Sequence, residues 1–124
     1  MSPKQLNSQL KTLTLIIKDI YFAEILNGIK KIETREPRPN TFKKYYEYAA
    51  NGDLSGLRPY DAIQFYGGYR TDRKSALVEL VSSEMLIVTD EDTGEDLTYI
   101  HEGEEYVETI VEFTLGNVLN KINC

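Results

Sequence analysis

The chain has 124 residues, of which 41% are hydrophobic and 27% are charged. This length suits a single hydrophobic core, and the composition excludes the disordered, collagen-like and disulfide-rich classes. No apolar run is long enough to span a membrane and the only cysteine is Cys124, so we expect a cytoplasmic protein without disulfides. Because His101 is the only histidine, the sequence predicts neither a metal site nor a cofactor.

The charge is acidic overall and unevenly distributed along the chain. A formal net charge of −6 argues against a protein that coats nucleic acid through nonspecific phosphate contacts. Residues 1–50, however, hold nine Lys and Arg against five Asp and Glu, whereas residues 51–124 hold five against fifteen. The first half therefore has the composition of a basic surface patch, and the second half that of an acidic one.

The chain begins with a polar segment followed by a strand. Residues 1–11 indicate a flexible N-terminus, which places a single domain over residues 12–124. Within this domain, Leu13, Leu15 and Ile17 alternate with Thr12, Thr14 and Ile16, as expected of a strand with one well-buried face.

A helix and a second strand follow. Asp19 is a suitable N-cap, and apolar residues at helical spacing predict a helix of about nine residues that ends at Asn27-Gly28. The segment Lys31–Arg35 alternates in character and predicts a half-buried strand. In this interpretation Ile32 points inward, and Glu33 points outward.

The middle of the chain predicts a helix, a loop and a hairpin. Aromatic and charged residues over Thr41–Ala50 are typical of an amphipathic helix, and Asp53–Pro59 is interpreted as a loop. Tyr60–Tyr66 and Ser75–Leu80 have the character of strands and flank a glycine-containing hairpin tip.

The last third predicts turns and strands. Asp90–Asp96 lacks the ligand spacing of a calcium loop and is interpreted as an acidic turn, with a second turn at His101–Glu105. Val107–Leu115 predicts a strand and Val118–Ile122 a short helical tail. The order of elements favours an α+β fold, a small and mostly antiparallel β-barrel with short helices against it.

The segment Gly28–Arg35 reads Gly-Ile-Lys-Lys-Ile-Glu-Thr-Arg. It resembles the Gly-x-Lys-x-x-Glu-x-Arg signature of the ASCH domain, and the preceding strand and helix, the following proline-rich loop and the chain length agree with that family. The resemblance implies a PUA-like β-barrel with two or three short helices and a cleft beside this corner. It also implies RNA or nucleotide-like ligands, with Gly28 at the turn and Lys30, Glu33 and Arg35 at polar cleft positions.

The residue types at these positions also suit ligand recognition on chemical grounds. A guanidinium such as that of Arg35 binds a phosphate or a base edge, and a carboxylate such as that of Glu33 accepts from an exocyclic amine. A partly desolvated Lys30 polarises water or acts as a base. The alternative is a solvated strand whose charged residues form weak surface ion pairs.

The predicted hairpin tip is a second candidate for ligand contact. Tyr66, Tyr69 and Arg70, followed by Arg73, combine aromatic rings and guanidinium groups that stack on bases and contact phosphates of single strands. Solvated tyrosines and arginines at a hairpin tip without a ligand are the alternative. Gly67 and Gly68 allow close approach of the backbone.

Three functions remain open at this point. The first is a module that binds a nucleobase, a nucleotide or short single-stranded RNA. The second is an amidohydrolase-like enzyme on an acylated nucleoside, with Lys30 and Glu33 as catalytic candidates, although the hydrolase-like members of the family have a threonine at the position of Glu33. The third is a protein-interaction domain that uses the acidic second half, including Glu102, Glu104 and Glu105.

Overall fold

A computed structural model describes residues 10–68, 70 and 72–124. The α-helices are α1 (Asp19–Leu26) and α2 (Phe42–Tyr45), and a 3-10 turn, Pro39–Thr41, precedes α2. The strands are β1 (Thr12–Ile17), β2 (Ile32–Arg35), β3 (Tyr46–Tyr48), β4 (Leu54–Leu57), β5 (Ala62–Gly67), β6 (Ser75–Ile87), β7 (Thr98–His101), β8 (Glu104–Val107) and β9 (Thr109–Ile122). Of the predicted flexible terminus, residues 1–9 lie outside the described residues.

The chain forms two compact units. The first unit comprises the described residues of Met1–Glu33, Pro59–Ser82 and Thr114–Cys124, and the second comprises Thr34–Arg58 and Ser83–Phe113. Strands β6 and β9 contribute residues to both. The predicted number of independently folding domains, one, stays a prediction.

The strands are mostly antiparallel. A five-stranded sheet has the order β1-β5-β6-β9-β2, and β3-β4 and β7-β8 form two-stranded antiparallel sheets. Strand β1 pairs in parallel with β5, from Thr12 opposite Ala62 to Ile17 opposite Gly67. Strand β5 pairs antiparallel with β6. The predicted α+β class with short helices and mostly antiparallel strands is confirmed.

The core of the first unit is built around β5. The alternation predicted for β1 is confirmed, since Leu13, Leu15 and Ile17 are buried. Helix α1 packs against β5 and buries Phe22 and Ile25. In β5, Ala62, Ile63 and Phe65 are wholly buried. Because Ala62 and Ile63 are adjacent, their side chains point to opposite faces, so the strand is covered on both faces.

The core of the second unit is aromatic. Tyr45 and Tyr46 are buried, and the ring centroid of Tyr45 lies 6.3 Å from that of Phe113. The ring of Phe42 lies 5.6 Å from Tyr46 and 5.7 Å edge-on from Tyr106, which also stacks on Tyr99. Contacts of this kind stabilise beyond the area that they bury.

The predicted helix over Thr41–Ala50 is wrong beyond Tyr45. The backbone becomes extended at Tyr46 (φ −117°, ψ 149°), and β3 pairs with β4 in a segment for which the sequence predicted a loop. A short helix gains little by itself, whereas tyrosines pack well on a pleated surface, and Gly52 (φ +91°) permits the turn between the strands. Strand pairing with a distant segment therefore outweighs the local helical pattern.

The predicted helical tail is also wrong. Strand β9 has 14 residues and continues through Ile122, and β6 has 13 residues and continues through Ile87. Pairing with β6 extends β9 beyond the boundary that its local sequence indicates.

Both acidic turns are confirmed. The Asp90 carboxylate accepts backbone hydrogen bonds from Asp92 and Thr93 at 2.8 and 3.0 Å, and Thr89 pairs with Asp96. Hydrogen bonds from the backbone of Thr93 and Asp92 lower the pKa of Asp90. The second turn, between β7 and β8, has Glu102 and Gly103 at positive φ. The Asp90 carboxylate therefore stabilises the conformation of its own loop.

Within the described part of the chain, no helix combines the length and the apolar character needed to cross a bilayer.

We expect Phe65→Ala to destabilise the protein by about 3–5 kcal/mol, because it leaves a cavity in a fully buried position. The control is Ile29→Ala in the same unit, where the side chain is 71% exposed and the expected change is within about 0.5 kcal/mol. Chemical denaturation of both variants measures the difference. Equal losses of stability would contradict the assignment of β5 to the core.

Candidate functional site

The corner after α1 brings two predicted site residues into contact. Gly28 ends the helix with φ +74°, a left-handed conformation that favours glycine, and the next two amides donate to the Glu24 carbonyl. This turn places the Lys30 Nζ 3.2 Å from the Glu33 Oε1 and 5.6 Å from the centroid of the Tyr21 ring. We call Lys30 and Glu33 the corner pair.

The predicted orientation of β2 is wrong. Ile32 is 44% exposed, whereas Glu33 is only 7% exposed. Alternation divides a strand into two faces but does not say which face is buried. Lys30 supplies the positive charge that compensates the carboxylate, so Glu33 takes the inner position.

Arg35 is half-buried and belongs to the second unit. There, desolvation, followed by the positive charge of Arg35, lowers the pKa of Lys44. The predicted gathering of Arg35 with the corner pair stays a prediction. Neither Arg35 nor the corner pair lines the cavities that the described residues form at the hairpin tip, beside the end of β1 and next to the aromatic residues of the second unit.

The predicted hairpin tip lines a polar cavity of about 230 Å³ in the first unit, which we call the hairpin cavity. Its cationic lining consists of Arg70, Arg73 and Lys74. Asp19 and Asp72 contribute carboxylates. Gly67 and Asn123 complete the lining. The described part of the hairpin therefore gathers charged groups around one hollow.

The arginines of this cavity are held in different ways. The Arg73 guanidinium carbon lies 4.0 Å from the centroid of the Tyr66 ring, and its Nη1 donates to the Gly68 carbonyl. Arg70 is 84% exposed and forms an ion pair with Asp72 at 3.2 Å. Arg73 is thus fixed by a cation–π contact, while Arg70 is held by a weak surface pair.

The start of α1 closes one side of the cavity. The Gly68 amide donates to the Ile17 carbonyl at 3.1 Å, which ties the hairpin to the end of β1. A β-carbon on Gly67 would lie 2.8 Å from an Asp19 carboxylate oxygen, so a larger residue here would have to displace the Asp19 side chain. The hairpin tip and the first residue of the helix therefore meet.

Sequence reasoning found part of this cavity. Arg70 and Arg73 were predicted and line it, and Tyr66 contacts Arg73 without being part of the lining. Tyr69 lies outside the described residues. Asp19 was predicted as an N-cap, but Lys18 occupies that position and Asp19 is the first residue of α1. Its signal for the site is its position two residues after the end of β1. Nothing in the sequence indicated Asn123. Its side-chain amide donates to the Asp72 and Arg73 carbonyls, and these hydrogen bonds place it at the cavity.

Comparison with models of known families, with curated proteins and with solved structures found no match to this chain. The assignment of function therefore depends on the signature and on the chemistry of the site.

Several charged side chains of the second unit already form contacts within the protein. Arg38 contacts Glu108 at 3.0 Å and lies over the Tyr99 ring at 4.3 Å, and the hydrogen bond to Glu108 raises the pKa of Arg38. Glu104 accepts from the Tyr106 hydroxyl, and this contact raises the pKa of Tyr106. Glu105 accepts from a threonine, while Glu102 is exposed. In the described residues, no group of three or more His, Cys, Asp or Glu is arranged to hold a metal.

We expect Lys30→Met to destabilise the protein by roughly 1–3 kcal/mol, because it removes the ammonium group that lies 3.2 Å from the buried Glu33 carboxylate. Lys31→Met, at an exposed neighbour, is the matched control and is expected to change stability by less than about 0.5 kcal/mol. Chemical denaturation measures both.

The double variant Lys30→Met/Glu33→Met completes a double-mutant cycle. It is expected to lose less stability than the sum of the two single variants. Strict additivity would show that the two side chains do not interact in solution.

Proposed function

We propose that the chain is an RNA- or nucleotide-binding module of the ASCH and PUA-like type. The signature over Gly28–Arg35 supports the family, and the hairpin cavity supports the ligand class. The finer fold assignment, a PUA-like β-barrel, belongs to the same proposal. Its support is the order strand, helix, strand ahead of a mostly antiparallel set of strands.

The observation that carries this proposal is the set of three cations around one cavity. Arg70, Arg73 and Lys74 contribute three positive charges against the two carboxylates of Asp19 and Asp72. Guanidinium and ammonium groups are the side chains that bind phosphate, and a net positive hollow attracts it on an otherwise acidic chain.

The same cavity has groups suited to a base. The guanidinium plane of an arginine stacks on unpaired bases, and Arg73 is held in place by the Tyr66 ring. A carboxylate such as that of Asp19 accepts from the exocyclic amine of a base. Phosphate contact and base recognition are therefore available within one hollow.

The corner pair and the hairpin cavity lie beyond opposite ends of α1. The eight residues of this helix span about 12 Å. Variants of the corner pair and of the hairpin cavity therefore test separate contacts with a short single strand.

We expect Arg70→Ala/Lys74→Ala to weaken the binding of short single-stranded RNA about tenfold at low salt, because two phosphate-binding charges are removed. The dependence of log affinity on log salt is expected to fall by about 1.4, at roughly 0.7 for each lost phosphate contact. Fluorescence anisotropy with a panel of labelled oligonucleotides, and calorimetry with nucleoside monophosphates, measure these changes.

The charge-matched control is Lys11→Ala/Lys31→Ala, which removes two exposed lysines of the first unit that line none of these cavities. Equal weakening in both double variants would mean nonspecific attraction. The absence of any binder in the panel at low salt would overturn the proposed function.

A second candidate function is hydrolysis of an acylated nucleoside. The observation that favours it is the corner pair itself, a lysine in contact with a shielded carboxylate. In this arrangement the ammonium group of Lys30 polarises the attacking water, and the Glu33 carboxylate takes the proton that the water loses.

We expect an active enzyme to release free cytidine from N4-acetylcytidine and to lose at least about 100-fold in kcat when Lys30 is replaced by alanine. Chromatographic detection of the product measures turnover. The absence of product, or product formation undiminished in Lys30→Ala, would remove this candidate and leave the binding module.

A further inference from the structure

A second cavity, of about 250 Å³, lies within the second unit and has a different chemistry. Three aromatic residues, Phe42, Tyr46 and Tyr48, form part of its lining, and Met85 adds a flexible thioether side chain. We call it the aromatic cavity. Among the described residues, no Lys, Arg, Asp, Glu or His lines it.

The polar groups of the lining are hydroxyls. The Tyr46 hydroxyl and the Thr109 hydroxyl lie 2.6 Å apart, and either atom is able to act as the donor. A hydroxyl that accepts one hydrogen bond still has a lone pair for another donor. Besides the Tyr48 hydroxyl, this pair is therefore the hydrogen-bonding point that the described lining side chains offer within apolar walls.

Part of the apolar lining is still open to solvent. Leu54, Ile87 and Val107 are 47%, 48% and 42% exposed, and Tyr48 is 44% exposed. Exposed apolar residues gathered at a hollow are typical of a binding site rather than of ordinary surface.

We propose that the aromatic cavity binds a neutral aromatic molecule of one or two rings that carries a single hydrogen-bond donor. The volume supports this size, because a cavity of about 150 Å³ already accepts benzene. The uncharged lining favours a neutral ligand, since a charged group would lose its hydration without gaining a partner. A nucleobase is disfavoured for the same reason, because most of its polar edge would be unpaired.

A small molecule fits this surface better than a protein partner does. A stable protein interface buries about 800 Å² on each partner, whereas this hollow has a volume of about 250 Å³ and is lined by eight of the described residues.

The experiment titrates the intact chain with indole and with adenine, which is also a two-ring molecule but more polar, and follows methyl resonances by NMR. We expect indole to bind with a dissociation constant of about 1 mM or below and adenine to bind at least about tenfold more weakly. The shifted signals are expected to be those of Leu54, Met85, Ile87, Val107 and Thr109.

Variants locate the site independently. Ile87→Trp fills the cavity and is expected to abolish indole binding, whereas Ile100→Trp, at a 68% exposed position of the same unit outside the lining, is expected to leave it unchanged. Thr109→Val removes one hydroxyl and is expected to weaken phenol about three- to tenfold without affecting benzene.

The proposal is overturned if indole shifts no lining methyl group up to its solubility limit, or if adenine binds equally well. Self-association by sedimentation that disappears in Ile87→Trp would also overturn it, because a second copy would then be the occupant. The mapping on the unaltered chain decides the question even if Ile87→Trp fails to fold. The aromatic and hairpin cavities share no lining residue, so failure of either proposal leaves the other standing.

Discussion

The arrangement of the first unit depends on β5, a strand that has a hydrogen-bonded partner on each edge and in which Ala62, Ile63 and Phe65 are wholly buried. Because β1 runs parallel to β5, the carboxyl ends of the two strands lie side by side, with Ile17 opposite Gly67. The residues that follow β1 therefore lie next to the tip of the β5–β6 hairpin, and α1 begins there. The hairpin cavity is thus a direct product of parallel pairing, and ligands of parallel sheets commonly bind at the carboxyl ends of strands. The same pairing requires the intervening chain to cross back over the sheet, which is why α1 packs on β5 and buries Phe22.

Local alternation and capping signals predicted the start of the chain well, and they failed where distant pairing decides the outcome. The strand β1 and the helix α1 were predicted within about a residue, because their apolar spacing and the stop at Gly28 act over short range. The segment after Tyr45 has an equally helical pattern, yet it becomes β3 because β4 is available to pair with it. In β2 the alternation was correct, but the buried face was the opposite one. Lys30 compensates the charge of the buried Glu33. The general rule that charged residues lie outside considers one residue at a time and so does not take such a partner into account.

The part of the candidate site that lies on one continuous segment was predictable from the sequence. Arginine and tyrosine near a pair of glycines marked the hairpin tip, and that composition already suits nucleic acid. Asp19 and Asn123 belong to the same cavity only because the fold brings the start of α1 and the end of the chain to the hairpin. The aromatic cavity was not predicted at all. Its rings were assigned to the packing face of a helix, Leu54 comes from a segment interpreted as a loop, and its other walls come from residues more than thirty positions further along the chain.

The two charged regions of the first unit differ in how readily they exchange a protein partner for a ligand. In the corner pair, a ligand that binds Glu33 or Lys30 must first separate an ion pair that is largely shielded from water, and the other residue of the pair then loses a compensating charge. In the hairpin cavity, the only ion pair that involves a lining cation among the described residues is the exposed one between Arg70 and Asp72, which costs little to open. Lys74 forms no ion pair within the described chain, and Arg73 keeps its contact with Tyr66 while its guanidinium remains charged. A phosphate is therefore expected to engage the hairpin cavity before the corner pair. If the proposed function is correct, the corner pair is expected to contribute selectivity, because only a ligand whose groups replace both partners of the ion pair opens it without a net loss.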